Sequence, residues 1–302
     1  MPEPGSGQAG HVPPGPGEPG RPPSGVPHEY DLRERAAFIR AETVRLIDIA
    51  KTGHYTSVFS AAEILAALYY RVMRLRRGEP GWPERDRLVL SKGHVAVGVY
   101  PVLADLGFFD AGLLSGYTRL GNPLGDHPDM RHVPGVDFSS GSLGHGLSVA
   151  LGMALAARIA GLPQVRVYAL LGDGECNEGQ IWEAAMAASH HRAASLFGVL
   201  DRNQMSLDGP TEEVLGIEPL ADKWRAFGWE VRECDGHDPD AVAAALLDPE
   251  FAAAPRPHLL LCHTVKGKGV SFMEGGREWH LGYLAPADRD RVLAELTERA
   301  AG

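Results

Sequence analysis

From about Asp31 onward, apolar residues alternate between helical spacing and short continuous runs. Helical spacing predicts amphipathic helices, whereas continuous apolar runs of about four to eight residues are typical of strands buried on both faces. The pattern predicts helices over 32–50, 60–71, 95–106, 145–161, 178–191, 219–227, from 238 onward, and 287–300. It predicts strands over 87–91, 165–171, 196–201, 229–234 and 258–265.

Short polar residues and glycines supply the predicted helix ends. Ser60 and Asp238 are candidate N-caps, because their side-chain oxygens can accept hydrogen bonds from the free N–H groups of a first helical turn. Gly53, Gly107 and Gly228 are candidate stops, since glycine adopts the left-handed backbone conformation at little cost.

Strands that alternate with helices predict right-handed β-α-β units and therefore parallel pairing. The expected fold class is α/β, a doubly wound, mostly parallel sheet flanked by helices, over residues 29–302. Residues 1–28 are different, because Gly and Pro fill 16 of the first 27 positions. Such a segment buries too little apolar area to offset its chain entropy, so we expect a disordered tail, with a Pro-rich ligand for a partner domain as the alternative.

Composition excludes several classes of function. The formal net charge is −10, and the chain has no long basic run, which argues against nucleic acid and anionic membranes as partners. No apolar stretch approaches the length of a membrane span, and the N-terminus does not resemble a signal peptide. Three cysteines without a Cys-x-x-Cys pair favour a reducing compartment, so a cytoplasmic location is expected.

The segment "LGDGECNEG" places Asp173 directly after one predicted strand, and Asn203 follows the next strand along the chain. Because parallel strands end at the same edge of a sheet, both side chains are expected in one crevice. A carboxylate, a carboxamide oxygen and a backbone carbonyl suit Mg²⁺ or Ca²⁺. Gly172 and Gly174 would let the backbone approach a diphosphate, beside the amino end of the next helix. These residues predict a site for a metal and a diphosphate.

Histidines form a second constellation. His54, His94, His127 and His145 stand beside glycine or aspartate, and His280 stands two residues before Gly282, all in turn-like surroundings. Singly, each is best explained as a capping or structural histidine. Together, at junctions between loops and helices, they can share one cleft and exchange protons with substrate hydroxyls near neutral pH.

The segment "GDGECNEGQIWEAAMAASHHRAASLFGVLDRNQMSLDG" resembles the thiamine diphosphate motif of transketolases, and the likeness extends from about Asp31 to about Leu284. It is greatest to the N-terminal subunit of split transketolases. The resemblance implies metal ligation by the side chains of Asp173 and Asn203 and by the carbonyl of Met205. It also implies the following roles: cofactor contacts at Gly141, Leu143, Gly146, Gly172, Gly174 and Glu178, and a substrate channel lined by His54, His94, His127 and His280.

The sequence departs from the family pattern at several positions. His145 stands where the family usually has Gln, and Ser142 where full-length enzymes usually have Pro. His145 either replaces an amide donor or adds an acid–base group, and both interpretations stay open. In "TVKGKGVSFMEGGREWH", Lys266 and Lys268 either face the diphosphate or belong to a solvated loop.

The implied activity is transfer of a two-carbon ketol unit from a ketose, usually a phosphate, to an aldehyde acceptor. No second domain carrying an activating glutamate is recognisable in the 302 residues, so we expect a separate pyrimidine-binding chain in an α2β2 assembly. Two alternatives remain: a subunit of another thiamine diphosphate enzyme, of the oxo-acid dehydrogenase or deoxyxylulose-phosphate-synthase type, and a catalytically silent interaction subunit.

Overall fold

Five parallel strands form one sheet in the computed structural model, which describes residues 30–300 and the side chains of residues 30–298. The strands are β1 (Arg87–Leu90), β2 (Val167–Gly172), β3 (Leu196–Arg202), β4 (Glu230–Asp235) and β5 (His258–His263). They lie side by side in the order β1-β2-β3-β5-β4. The predicted α/β fold class is therefore confirmed. The predicted tail, residues 1–28, lies outside the described residues.

Ten α-helices connect and cover the strands within the described part of the chain. They are α1 (Leu32–Ala50), α2 (Tyr55–Ala67), α3 (Ala96–Asp105), α4 (His145–Ile159), α5 (Gly179–His190), α6 (Thr211–Leu215), α7 (Leu220–Ala226), α8 (Pro239–Leu247), α9 (Pro249–Ala252) and α10 (Pro286–Ala300). One core cluster joins the sheet to α1, α2, α3 and α8, and a second joins its other face to α4, α5 and α7. Helices thus cover both faces, as a doubly wound sheet requires.

The edge strand β4 departs from the expectation of uniformly apolar strands. β2 and β3 are buried at every position, whereas every residue of β4 is half-buried or exposed, among them Glu230, Arg232 and Glu233. Because β4 pairs on one side only, with β5, its charged side chains can reach water. Charges on an edge strand also discourage pairing with a second chain.

The predicted end of α1 at Ala50 is confirmed, but the residues predicted to stop α1 and to cap α2 are wrong. Helix α1 ends at Ala50, and Lys51 in the left-handed conformation closes it. Gly53 instead forms an isolated antiparallel β-bridge with Gly282, which lies in the segment between β5 and α10. Ser60 does not cap α2, because the helix begins five residues earlier, directly after His54. The buried Ser60 hydroxyl instead donates to Asp201 at 2.6 Å.

The predicted caps elsewhere are confirmed. Asp238 accepts hydrogen bonds from the N–H groups of Asp240 and Ala241 at the start of α8. Gly107 and Gly228 both adopt positive φ shortly after the ends of α3 and α7. Within residues 30–300, no helix is long and apolar enough to cross a bilayer.

Candidate functional site

A cleft of about 260 Å³ opens where four neighbouring strands end. Lys92 follows β1, Asp173 follows β2, Asn203 follows β3, and Lys266 follows β5. In parallel α/β sheets this edge is where ligands bind. Most of the predicted site residues line this cleft: His54, His94, His127, Gly141, Leu143, Gly172, Asp173, Gly174, Asn203, Met205 and His280.

The pairing of β2 with β3 brings Asp173 and Asn203 together. Gly172 lies opposite Asp201 in the register, so Asp173 emerges beside Arg202, one residue before Asn203. Asp173 accepts hydrogen bonds from the guanidinium of Arg202 at 2.9 Å and from the N–H of Gly174 at 2.8 Å. The Asn203 carboxamide oxygen accepts from the N–H of Met205 at 3.1 Å. Carboxylate and amide oxygens therefore face one space, as the sequence predicted.

Asp201 is a buried hub that the sequence pattern did not reveal. It is fully buried and accepts hydrogen bonds from Lys92, from the hydroxyls of Ser60 and Thr264, and from the carboxamide of Asn203 at 3.1 Å. Burial would raise the pKa of Asp201, but Lys92 and the hydroxyl donors lower it overall. The ionised carboxylate of Asp201 thus holds the ammonium group of Lys92 in place and fixes the orientation of the Asn203 carboxamide.

Burial and charge shift the titration of the cleft's other ionisable groups. Burial and the nearby Asp201 raise the pKa of Asp173, although Arg202 opposes the shift. Burial also raises the pKa of Glu175, which accepts from the N–H groups of Gly144 and Gly172. Burial, reinforced by Lys92, lowers the pKa of Lys266 to about 8. Neutralising these buried charges, or pairing them with a bound ion, relieves the cost of desolvation.

The predicted glycines leave room at the floor of the cleft. A Cβ atom added at Gly174 would lie 2.7 Å from the Ser206 hydroxyl, so a larger residue there would force the two segments apart. At Gly172 the corresponding atom would contact the stem of Lys92 at 3.5 Å. The backbone is therefore close to the cationic side of the cleft, which suits a bound anion such as a diphosphate.

Four histidines form a cluster at the other end of the cleft. The ring centroid of His54 lies 5.1 Å from that of His94, 6.1 Å from that of His127 and 5.3 Å from that of His280. Burial, together with Lys92 and the other rings, holds the pKa of His94 well below its usual value, and burial and Lys266 lower the pKa of His280 to about 3. His94 and His280 are therefore neutral near pH 7. The Nδ1 atoms of His54 and His280 are buried without a hydrogen-bond partner in the described structure.

Three predicted residues lie outside the lining of the cleft. Gly146 packs beneath it, where a Cβ atom would lie 2.4 Å from the Ser91 hydroxyl. Glu178 is exposed at the start of α5. Lys268 is half-buried outside the lining, whereas Lys266 lines the cleft. The predicted cofactor contacts of Gly146 and Glu178 stay predictions, as does the role of His145, which is exposed at the start of α4.

Sequence reasoning missed several residues of the cleft. Lys92, Glu175 and Ser206 line it, and Asp126 lies behind two of its histidines. Lys92 had a usable signal, because it closely follows a buried strand, as Asp173 and Asn203 do. Among residues 30–300, no group of three or more His, Cys, Asp or Glu is placed to hold a metal ion. The predicted metal site differs in kind, since it combines one carboxylate with an amide oxygen and a carbonyl.

Comparisons with known proteins agree with this geometry. The family described as transketolase, thiamine diphosphate binding domain, matches residues 32–296. Over 273 residues the chain is 45% identical to the 6-deoxy-6-sulfo-D-fructose transketolase subunit SqwG of Clostridium sp. (strain MSTE9), spanning 90% of this chain and 98% of that protein. It is 38% identical to an apulose-4-phosphate transketolase subunit of Phocaeicola vulgatus, spanning 86% of this chain and 92% of that protein.

A solved structure gives the same result. Transketolase from Campylobacter jejuni superposes with a TM-score of 0.80 at 29% identity, over 89% of this chain and 42% of that longer chain. The chain therefore matches the subunit-type relatives over nearly their whole length, and a full-length transketolase over less than half. These matches, together with the cleft, show that the chain belongs to the transketolase family and comprises its thiamine diphosphate-binding domain.

Proposed function

We propose that the chain is the diphosphate- and metal-binding subunit of a two-chain transketolase, which transfers a two-carbon ketol unit from a ketose, usually a phosphate, to an aldehyde acceptor. One observation carries the proposal: the β2–β3 register brings Asp173 and Asn203 into the same cleft as four histidines. Family membership alone would not require an intact site, because a silent subunit could keep the fold. The retained charges and histidines favour an active subunit over that alternative.

The residues present fit thiamine diphosphate and a divalent cation. Asp173 and Asn203 supply hard oxygen ligands, and Met205 is placed to add a carbonyl, so Mg²⁺ or Ca²⁺ would be held there. Lys92 and Lys266 would neutralise the diphosphate, and the glycines leave space for it. When bound, thiamine diphosphate supplies a nucleophilic carbon and stabilises the carbanion that carries the ketol unit.

The histidines would bind the sugar and move its protons. His94 and His280 are neutral near pH 7, so each can donate a hydrogen bond through one ring nitrogen and accept through the other. The Nδ1 atom of His280 is buried without a partner in the described structure, which is hydrogen-bonding capacity available to substrate hydroxyls. His127 lies at the rim, half-exposed, where a substrate enters.

We further propose that a pyrimidine-binding chain completes the site, in an α2β2 assembly located in the cytoplasm. The relatives named as subunits support a second chain, since this chain spans almost all of their length. The proposal predicts that the diphosphate-binding and pyrimidine-binding halves of the site lie on different polypeptides. It leaves the ketose and the aldehyde open, because the names of the relatives differ on this point.

The test is co-expression with the product of a neighbouring gene that resembles the pyrimidine-binding half of a transketolase. The purified complex is supplied with thiamine diphosphate, Mg²⁺, an aldose phosphate and one of three ketoses named with relatives: 6-deoxy-6-sulfo-D-fructose, apulose 4-phosphate or fructose 6-phosphate. We expect ketol transfer by the complex and none by either chain alone. Transfer at an ordinary enzymatic rate by this chain alone would overturn the two-chain proposal, and an inactive complex that binds thiamine diphosphate would overturn the proposed reaction.

A further inference from the structure

One carboxylate lies behind two of the four histidines. Asp126 Oδ1 is 3.7 Å from the Nδ1 atom of His54, and Asp126 Oδ2 is 3.4 Å from the Nδ1 atom of His127. The hydroxyl of Tyr117 donates to Asp126 Oδ1 at 3.3 Å. Two imidazoles from different segments thus present the same ring nitrogen to the two oxygens of one carboxyl group.

His54 has a hydrogen-bonding need that Asp126 can meet. Its ring is buried, and its Nδ1 atom has no hydrogen-bond partner in the described structure. A movement of about half an ångström would bring the carboxylate of Asp126 within the usual N–H···O range of about 2.7–3.2 Å. Asp126 lies in a loop, and its side chain is about one-third exposed (35%).

Asp126 is ionised at neutral pH. Burial would raise its pKa, but His54, His127 and Tyr117 lower it overall. Three other ionisable groups lie near Asp126 and His54. His94 and His280 pack on the ring of His54, and the charge of Asp126 adds to the burial that raises the pKa of Tyr100. Lys92 and Lys266 lie farther along the cleft, beside His94 and His280. A permanent acceptor therefore faces the two Nδ1 atoms.

A carboxylate that accepts a hydrogen bond from one nitrogen of an imidazole fixes the tautomer of the ring, and so determines whether the other nitrogen donates or accepts. When Nδ1 carries the proton and donates it to the carboxylate, Nε2 is left as the acceptor, and the ring is held in one orientation. We propose that Asp126 is a positioning residue of the ketol-transfer site, which holds His54 and His127 with Nδ1–H toward its carboxylate so that Nε2 of each ring meets the substrate. The catalytic part of this inference rests on the proposed function of the cleft, whereas the ring orientation does not.

The same loop contains a matched pair outside the cleft. Asp129 Oδ2 lies 2.8 Å from the Nδ1 atom of His132, and the side chain of His132 is largely exposed. An aspartate beside a histidine is therefore present twice within seven residues, once at the cleft and once on the surface. Asp129→Asn keeps an oxygen for the backbone N–H of Arg131 and removes the same charge as Asp126→Asn.

The first measurement is nitrogen-15 NMR of the histidine rings in the full chain without cofactor, with signals assigned through His54→Gln and His127→Gln. We expect His54 and His127 to carry the proton on Nδ1 in the unaltered chain. In Asp126→Asn the Nε2–H form should become populated in both rings, and Asp126→Glu should restore the original signals. Asp129→Asn should change His132 alone. Ring signals of His54 and His127 that do not change in Asp126→Asn would overturn the proposal, whatever the activity.

The second measurement is ketol transfer by the two-chain complex. We expect Asp126→Asn to lower kcat by about 10- to 100-fold while thiamine diphosphate affinity stays unchanged, with partial recovery in Asp126→Glu. Equal loss in Asp129→Asn, or a change in cofactor affinity equal to the loss in kcat, would overturn the positioning role. If the complex has no transketolase activity at all, the proposed function fails, and the NMR result still decides the ring orientation separately.

Discussion

The two ends of the cleft differ in how far their polar groups are satisfied by the protein itself. The diphosphate end, comprising Lys92, Asp173, Asp201, Asn203 and Lys266, is charged and internally paired. The histidine end, comprising His54, His94, His127 and His280, consists of rings that mainly contact one another. The first end is thus built into the folded core, whereas the second holds hydrogen-bonding capacity for a substrate.

This difference separates stability from chemistry. Buried charges at the diphosphate end must find partners within the fold, because an unpaired buried charge is costly. At the histidine end, the Nδ1 atom of His280 is buried without a partner in the described structure, which is a cost that a bound substrate can relieve. We therefore expect substitutions at the first end to affect folding and cofactor binding, and substitutions at the second to affect turnover.

The largest expected effect follows from Asp173→Ala. Removing this carboxylate should lower the Mg²⁺-dependent affinity of the two-chain complex for thiamine diphosphate by more than about 100-fold, since loss of outer-shell support alone costs about 10- to 100-fold at metal sites. The fold should persist, because Arg202 keeps its pairing with Glu218 at 2.7 Å. Isothermal calorimetry gives the affinity. Asp208→Ala removes an exposed carboxylate from the loop that follows β3 and should change nothing. Unchanged affinity in Asp173→Ala would refute metal ligation.

Asp201→Ala tests whether the diphosphate end supports the fold. Lys92 would be left buried without its carboxylate partner, so the free energy of unfolding should fall by about 3–5 kcal/mol. Denaturant titration of the unliganded chain measures the loss. The exposed pair of Asp222 and Arg225 is the control, and Asp222→Ala should leave the stability nearly unchanged. Similar small losses in both variants would mean that the buried hub contributes little to folding.

His280→Ala examines the histidine end. Because His280 packs on the rings of His54 and His94, kcat should fall on the order of 10²-fold while thiamine diphosphate affinity stays the same. Steady-state kinetics and calorimetry on the same preparation separate the two effects. His263→Ala alters an exposed histidine outside the cleft and should have wild-type kinetics. A parallel loss of cofactor affinity in His280→Ala would remove the distinction between the two ends.

The sequence predicted the parts of the cleft that depend on strand order and handedness. Asp173 and Asn203 directly follow two apolar strands that are consecutive along the chain. Because a right-handed crossover joins neighbouring strands in parallel, both residues emerge at the same edge of the sheet. The gathering of His54, His94, His127 and His280 was expected from the family resemblance, and no periodicity in the chain specifies it. The structure brings those rings together.

Other features could not be predicted, because they depend on side chains that meet across distant segments. Lys92 and Asp201 are 109 positions apart, and nothing local to either marks the pair. Ser60 has the character of an N-cap, yet tertiary structure assigns its hydroxyl to Asp201. Asp126 has an ordinary loop residue's surroundings in the sequence, and only the fold brings His54 to it. In each case a contact between distant segments, and not the local sequence, determines what the side chain does.

The smallest expected effect comes from two lysines in one loop, which the sequence pattern does not distinguish. Lys266 lines the cleft, and burial lowers the pKa of its ammonium group to about 8, whereas Lys268 lies outside the lining. As pH rises through about 8, Lys266 loses its positive charge, so the affinity of the chain for inorganic diphosphate with Mg²⁺ should fall.

Lys266→Gln should bind about tenfold more weakly at pH 7, the usual worth of a charged hydrogen bond, and should lack this alkaline decline. Lys268→Gln should behave as the unaltered chain in calorimetric titrations from about pH 6.5 to 9.5, a range chosen to bracket the lowered pKa. An alkaline decline that persists in Lys266→Gln would assign it to another group and would place the cationic part of the diphosphate end elsewhere.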